Sequence, residues 1–129
     1  WDAHALPPVE IVPKRGLYDT AARMDASLVD YYAPVRNESL SSNEADAQAI
    51  RAEIERAVLE VYRAYGLRDL GRIDLIWDGA QARVMETNVS PGMTETSLFP
   101  AACKAGGLSL SAVLNELVNN AKERGAVFC

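Results

Sequence analysis

The order of the predicted elements indicates an α+β fold in which helices cover a largely antiparallel sheet. Residues 72–78 and 82–89 both alternate between faces, and Asp78-Gly79 joins them, which is typical of a β-hairpin. A long segment from about Glu44 instead repeats its apolar residues at helical spacing. The 129 residues, 49% hydrophobic and 24% charged, suit a single soluble globular domain that spans the whole chain.

The first third of the chain contains two predicted strands separated by a long connection. Residues 9–13 form a short strand that is entered and left through proline. A turn follows at Lys14-Arg15-Gly16, and residues 17–30 have no clear period, so we interpret them as a loop. A second strand runs from about Asp30 to Pro34, and the polar residues 37–42 predict another loop.

Two helices are predicted from their apolar stripes. A capping box at Ser41-x-x-Glu44 opens the longer one, which Gly66 ends, and we expect it to pack on the sheet as a structural helix. The last helix has Ser109 or Ser111 as its cap. Its apolar stripe consists of Leu108, Leu110, Val113, Leu114, Leu117, Val118 and Ala121.

The hairpin register follows from an assumed three-residue loop, Gly79-Ala80-Gln81. Asp74 then faces Glu86 and Arg72 faces Asn88, so the four polar side chains share one face. A two-residue turn would change this register unless a bulge restored it. The opposite, more apolar face is predicted to point to the core and carries Ile73, Leu75, Trp77, Met85 and Val89.

The polar face of this hairpin has the oxygen donors that a hard divalent cation prefers. Asp74, Glu86 and Asn88 supply two carboxylates and an amide, and magnesium is usually completed by waters and substrate phosphates. Arg72 adds a fixed positive charge beside them. The alternative is a solvent-exposed face on which Arg72 offsets two acids, since surface ion pairs are common.

The connection after the hairpin favours the binding site over that alternative. Ser90-Pro91-Gly92 is a turn whose glycine lets backbone N–H groups approach a ligand. Thr96 or Ser97 is the expected N-cap of a helix that runs to about Ala105, and a helix N-terminus offers N–H donors to an anion. Next to the acids, these features predict a phosphate or carboxylate site.

Composition excludes several other functions. A net charge of -5 without a cluster of basic residues argues against nucleic-acid binding, and no apolar run approaches the roughly 18 residues of a membrane span. His4 is the single histidine, which argues against a zinc site. Cys103 and Cys129 do not suggest a disulfide framework, so we expect a reducing cytoplasm.

Three motifs resemble the signature of D-alanyl-D-alanine ligases, which belong to the ATP-grasp superfamily. The motifs are Gly-Arg-Ile-Asp at 71–74, Met-Glu-Thr-Asn-Val-Ser-Pro-Gly-Met-Thr at 85–94 and Ser-Leu-Phe-Pro at 97–100. A weaker resemblance extends from about Leu6 to Lys122. It implies the C-terminal lobe of an ATP-grasp ligase in peptidoglycan precursor synthesis. The nucleotide-holding lobes of that family would precede Trp1, so we expect the isolated chain to be inactive.

The resemblance also implies a role for each motif residue. Asp74, Glu86 and Asn88 correspond to ligands of two Mg²⁺ ions, with Mn²⁺ as an alternative, that bridge the phosphates of ATP. Arg72 and the backbone N–H of Gly92 correspond to the pair that stabilises an oxyanion. Ser97 and the Leu98 backbone correspond to the element that holds the carboxylate of the second D-alanine. ATP first phosphorylates one D-alanine, and the amine of the second then attacks the acyl phosphate.

The sequence departs from the family pattern in residues 18–24. Tyr18-Asp19 is present, but Arg23 stands where the family has a phosphate-binding lysine and Met24 where it has an aromatic residue. A guanidinium also suits phosphate, so Arg23 is the predicted ATP-phosphate contact. Met24 leaves D-alanine, D-lactate and other small D-acids open as second substrates. A non-catalytic fragment of the fold is the other alternative, and the resemblance leaves a homodimer open.

Overall fold

The computed structural model describes residues 3–125 and contains helices and antiparallel strands, as predicted. A short 3₁₀ helix, Ala26–Leu28, lies between the first helix and the second strand. The elements in chain order are β1 (Glu10–Pro13), α1 (Thr20–Met24), β2 (Val29–Tyr32), α2 (Asn37–Leu40), α3 (Glu44–Ala64), β3 (Arg72–Trp77), β4 (Ala82–Asn88), α4 (Leu98–Ala105) and α5 (Leu110–Arg124).

Strand pairing is antiparallel throughout the described residues but is divided between two two-stranded sheets, β1–β2 and β3–β4. In the first sheet Glu10 pairs with Tyr32 and Pro13 with Val29, so residues 14–28 form an excursion between the two strands. The interpretation of this excursion as a loop is wrong for α1. The Asp19 side chain caps α1 by accepting a hydrogen bond from the N–H of Ala22 at 2.9 Å.

The long helix α3 lies where it was predicted, but its cap differs. Asn43 Oδ1 accepts from the N–H groups of Ala45 and Asp46 at 2.9 and 3.2 Å, whereas Ser41 Oγ accepts from the N–H of Asn43. The helix therefore begins at Glu44, because an asparagine cap competes successfully with the predicted serine. The polar segment before it is not entirely a loop, since it contains α2.

The β3–β4 turn is one residue shorter than predicted. Trp77 pairs with Ala82, and the N–H of Asp78 donates to the carbonyl of Gln81 at 3.2 Å, which leaves a two-residue loop. The Asp78 carboxylate favours this tight turn because its Oδ1 accepts from the N–H groups of both Ala80 and Gln81 at 2.9 Å.

A β-bulge compensates for the shorter turn. Leu75 pairs with Val84 but Asp74 pairs with Glu86, so Met85 is the extra residue of β4. The predicted pairs at Asp74 and Glu86 and at Arg72 and Asn88 are therefore present. The prediction that Met85 and Val89 point to the core is wrong, because each is 65% exposed.

The core surrounds α3 and α4 and consists of small and medium apolar side chains. No polar or charged side chain of the described residues is buried. Cys103 is fully buried, which raises the pKa of its thiol, and Cys129 lies outside the described residues. The buried residues are Ala22, Val29, Val35, Ala47, Ile54, Phe99 and Cys103.

An ion pair between Glu10 and Arg36 connects β1 to the start of α2. The Arg36 Nη2 donates to Glu10 Oε1 at 2.9 Å, and the Arg36 Nε and backbone N–H donate to Oε2 at 3.0 and 3.2 Å. The guanidinium also lies 3.8 Å from the centre of the Tyr32 ring. The Arg36 side-chain hydrogen bond is the main cause that lowers the pKa of Glu10.

We expect Glu10→Gln to destabilise the protein by about 1 kcal/mol at neutral pH, because it weakens a charge-assisted hydrogen-bond pair. Because the pKa of Glu10 is lowered in the folded state, its ionised carboxylate stabilises the protein at pH values above its ordinary pKa of 4.5. That contribution disappears as the pH falls through the lowered pKa. Urea unfolding of both proteins from pH 7 to pH 3 measures this. A difference in unfolding free energy that persisted unchanged at pH 3 would contradict it.

Candidate functional site

The polar face of the β3–β4 hairpin brings three predicted site residues into one charged cluster. The Arg72 guanidinium donates twice to Asp74, from Nε to Oδ1 at 2.7 Å and from Nη2 to Oδ2 at 2.9 Å. The same Nη2 lies 3.7 Å from Glu86 Oε1. The hydrogen bonds to Asp74 are the main cause that raises the pKa of Arg72. Arg72 is therefore a permanently charged and firmly oriented group.

Asn88, the last residue of β4, lies next to this cluster. It pairs with Arg72 in the ladder, and its Oδ1 accepts a hydrogen bond from the N–H of Ser90 at 2.9 Å. This bond turns the chain out of the strand and into the connection that leads to α4. The amide oxygen keeps a second lone pair for another partner.

The donor set fits a hard divalent cation. Asp74 and Glu86 are directly opposed, the Glu86 side chain is 59% exposed, and the amide oxygen of Asn88 follows two residues later. Within residues 3–125, no three His, Cys, Asp or Glu side chains gather as a metal cluster, and the third predicted ligand here is an asparagine. Two carboxylates and one amide match the sparse protein coordination of magnesium, which retains waters and phosphates.

The connection from β4 to α4 places Gly92 directly against Ser97. A Cβ at Gly92 would lie 2.7 Å from Ser97 Oγ. That hydroxyl accepts from the N–H of Thr94 at 3.1 Å and lies 2.8 Å from Thr94 Oγ1. Ser97 holds the N-cap position of α4, as predicted, but its side chain makes no capping hydrogen bond because Thr94 engages it.

The predicted phosphate contact Arg23 lines the same cavity as the charged cluster. Arg23 is on exposed α1, and Arg23, Tyr18, Arg72, Asp74 and Glu86 all line one cavity of about 1620 Å³. Leu98 of α4 also lines it, whereas Asn88, Gly92 and Ser97 are not among its described lining residues. The excursion between β1 and β2 and the hairpin thus line the same space.

Sequence reasoning missed Tyr31 and Thr94 as parts of this region. The hydroxyls of Tyr18 and Tyr31 are 3.2 Å apart, and this hydrogen bond connects the excursion to β2. Burial of Tyr31 and its hydrogen bond with Tyr18 raise the pKa of Tyr31 to about 12. Thr94 orients Ser97. In the sequence, Tyr31 indicated only a strand. The hydroxyl-rich segment Thr94-Glu95-Thr96-Ser97 was the one hint of the contact between Thr94 and Ser97.

Comparison with protein families identifies the chain's relatives. A family model described as "D-ala D-ala ligase C-terminus" matches residues 2–119, which is most of the chain. The chain belongs to this family. The resemblance inferred from the sequence motifs is therefore confirmed.

Curated members of the D-alanine–D-alanine ligase family are similar over nearly the whole chain. The ligase of Desulforudis audaxviator is 34% identical over 123 residues, which cover 95% of this chain and 37% of that protein. The ligase of Methylibium petroleiphilum is 40% identical over 109 residues, which cover 83% of this chain and 31% of that protein. The chain thus spans about a third of the length of these relatives.

A solved structure of the same family confirms the fold class. The crystal structure of the D-alanine–D-alanine ligase from Bacillus anthracis matches with a TM-score of 0.65 at 26% identity. The match covers 88% of this chain and 34% of that one. In the part of the chain that the structure describes, none of the helices combines the length and the apolar character that crossing a membrane requires.

The Gly92 contact predicts an energetic coupling to Ser97. Gly92→Ala introduces a Cβ that forces the Ser97 hydroxyl away from Thr94, so we expect a loss of about 1 kcal/mol in unfolding free energy. The φ angle of Gly92 is outside the left-handed region, so alanine adds no backbone strain. Urea unfolding measures the loss.

The same glycine substitution in a Ser97→Ala background is the matched control, because the hydroxyl that the Cβ would meet is then absent. We expect Gly92→Ala to cost much less there. An equal cost in both backgrounds would mean that the close approach of Gly92 and Ser97 is not what requires glycine.

Proposed function

We propose that this chain is the C-terminal part of an ATP-dependent ligase that joins two D-alanines for peptidoglycan precursor synthesis in the cytoplasm. The observation that carries the proposal is the cluster in which Arg72 lies within hydrogen-bonding distance of Asp74 and ion-pairing distance of Glu86, in a member of this family. The longer members of the family contain further sequence, which would form the preceding lobes that bind the nucleotide and the first D-alanine.

Asp74, Glu86 and Asn88 would hold the divalent cation. Asp74 and Glu86 line the cavity that Arg23 also lines, so a nucleoside triphosphate in that space would meet both carboxylates and a guanidinium. Magnesium, or manganese as an alternative, would supply positive charge between the phosphate oxygens and these carboxylates. Arg23 would neutralise phosphate charge in the same cavity.

Arg72 and the Gly92 N–H would stabilise negative charge on the reacting carboxyl group. In the first step a carboxylate oxygen of one D-alanine attacks the terminal phosphorus of ATP, and ADP leaves. In the second step the amine of the other D-alanine attacks the acyl carbon, a proton leaves the nitrogen, and phosphate departs from the tetrahedral intermediate. Because Asp74 already fixes the Arg72 guanidinium, little reorganisation is needed when the oxyanion forms.

Ser97 and Leu98 would bind the carboxylate of the second D-alanine. Ser97 makes no side-chain cap, so the first N–H groups of α4 donate no hydrogen bond to that hydroxyl. The positive end of the helix is therefore open to a small anion. The neighbouring hydroxyls of Thr94 and Ser97 add further hydrogen-bonding groups next to that position.

We expect Asp74→Asn and Glu86→Gln to abolish magnesium-dependent ligation by the complete enzyme, with losses of at least about 100-fold in kcat, because each removes a charged cation ligand. Phosphate release that depends on both ATP and D-alanine measures this. Glu60→Gln on the exposed side of α3 is the control and should leave activity unchanged. The 129-residue chain alone should release no phosphate, and ligation by the Asp74→Asn enzyme at the wild-type rate would contradict the assignment.

The second candidate is a ligase that joins D-alanine to D-lactate. The observation in its favour is Met24, which is 82% exposed where the family pattern has an aromatic residue. We expect the complete enzyme to prefer the amine over the hydroxy acid when D-alanine and D-lactate compete at equal concentration. Mass spectrometry of the products measures the ratio, and a depsipeptide as the main product at neutral pH would favour the second candidate.

A further inference from the structure

The connection between α3 and β3 is tied to the last turn of α5 by a bidentate ion pair. Arg124 donates from Nη1 to Asp69 Oδ1 at 2.6 Å and from Nη2 to Oδ2 at 2.7 Å. The two side chains are only 32% and 24% exposed. Arg68 Nε lies farther from Asp69, at 3.7 Å, and its side chain is 67% exposed. The two parallel hydrogen bonds make Arg124 the principal partner of Asp69.

Asp69 is also the one non-glycine residue of the described chain with a positive φ, at 66°. L side chains rarely adopt this conformation, although aspartate tolerates it better than most residues do. A residue held there needs surrounding interactions that fix it. The ion pair with Arg124 provides such an interaction, because it holds both carboxylate oxygens in one orientation.

Asp69 lies close to the candidate site along the chain. Arg72 begins β3 three residues after Asp69, and Gly71 between them lies against the Asn88 carbonyl, 3.9 Å from the position of a Cβ. A groove of about 610 Å³ separates residues 66–70 from Val89, Ser90 and Met93 of the site connection. Beside this groove, the bidentate ion pair with Arg124 holds the connection from the side of α5.

We propose that the Asp69–Arg124 pair is a positioning device that sets the entry of β3 and thereby the placement of the Arg72 guanidinium. Its effect on catalysis rests on the proposed role of Arg72 in stabilising an oxyanion. Its effect on the β3–β4 ladder does not depend on that role.

The first test uses hydrogen exchange on the 129-residue protein. We expect Asp69→Asn, Asp69→Gly and Arg124→Gln each to lower the protection of the amides of residues 72–74 and 86–88 by about tenfold, with little change in the β1–β2 ladder. Asp69→Gly is decisive because it relieves the backbone and removes only the ion pair. Unchanged or increased protection in Asp69→Gly would overturn the proposal, since the residue would then matter only for its backbone conformation.

A double variant and a control test whether the ion pair itself is responsible for the protection. Asp69→Asn combined with Arg124→Gln should reduce protection no further than either single change, because both remove the same contact. Lys122→Gln removes a cation from the same end of α5 and should have no effect, since no ion pair described for residues 3–125 includes Lys122. Additive losses in the double variant would overturn the proposal.

The second test uses the complete enzyme and separates binding from chemistry. We expect Arg124→Gln to lower kcat for ligation about tenfold while KM for ATP changes little, because a displaced Arg72 affects an interaction made mainly in the transition state. Arg124→Lys should recover part of kcat. A change confined to KM would overturn the proposal. An enzyme without ligase activity would refute the proposed function, whereas the hydrogen-exchange result would still decide whether the pair positions β3.

Discussion

The bidentate contact between Arg72 and Asp74 is the constraint on which the candidate site depends. One cationic and two anionic side chains leave the cluster with a single net negative charge, which attracts a divalent cation without leaving Arg72 unpaired. Arg72 is only 19% exposed, so an unpaired guanidinium there would be costly. Asp74 thus serves as the counter-ion of Arg72 and keeps oxygen lone pairs for a second positive partner.

The register of the hairpin that carries this cluster results from two features that offset each other, a short turn and a bulge. The sequence predicted the pairing of Asp74 with Glu86 from a three-residue loop without a bulge, whereas the structure has a two-residue loop and a bulge at Met85. The alternation of residues fixed the faces near Arg72, where neither feature intervenes. The sequence left a two-residue turn with a bulge open as the alternative but could not place the bulge at Met85, because Met85 has the polarity of an ordinary strand residue and its exposure is a consequence of its pairing.

The sequence also predicted elements better than contacts between distant elements. The apolar periods of α3 and α5 reflect local geometry and were sufficient to locate both helices. Asp69 and Arg124 are 55 residues apart, and nothing in the local pattern of either residue indicates the other. The candidate site residues could be named from the sequence because their motifs are local, whereas the interactions that position them are tertiary and needed coordinates.

The start of α4 lacks a capping hydrogen bond, which would suit the proposed binding of an anion there. A serine at an N-cap ordinarily stabilises its helix by about 1 kcal/mol when its hydroxyl accepts an N–H of the first turn. Here Thr94 engages that hydroxyl, so the helix forgoes this bond and its N-terminal donors remain available. Buried Phe99 and Cys103 hold α4 in place instead, through apolar packing that does not need the cap. An anion bound at the helix start would then both satisfy these donors and restore the stability that the missing cap leaves out.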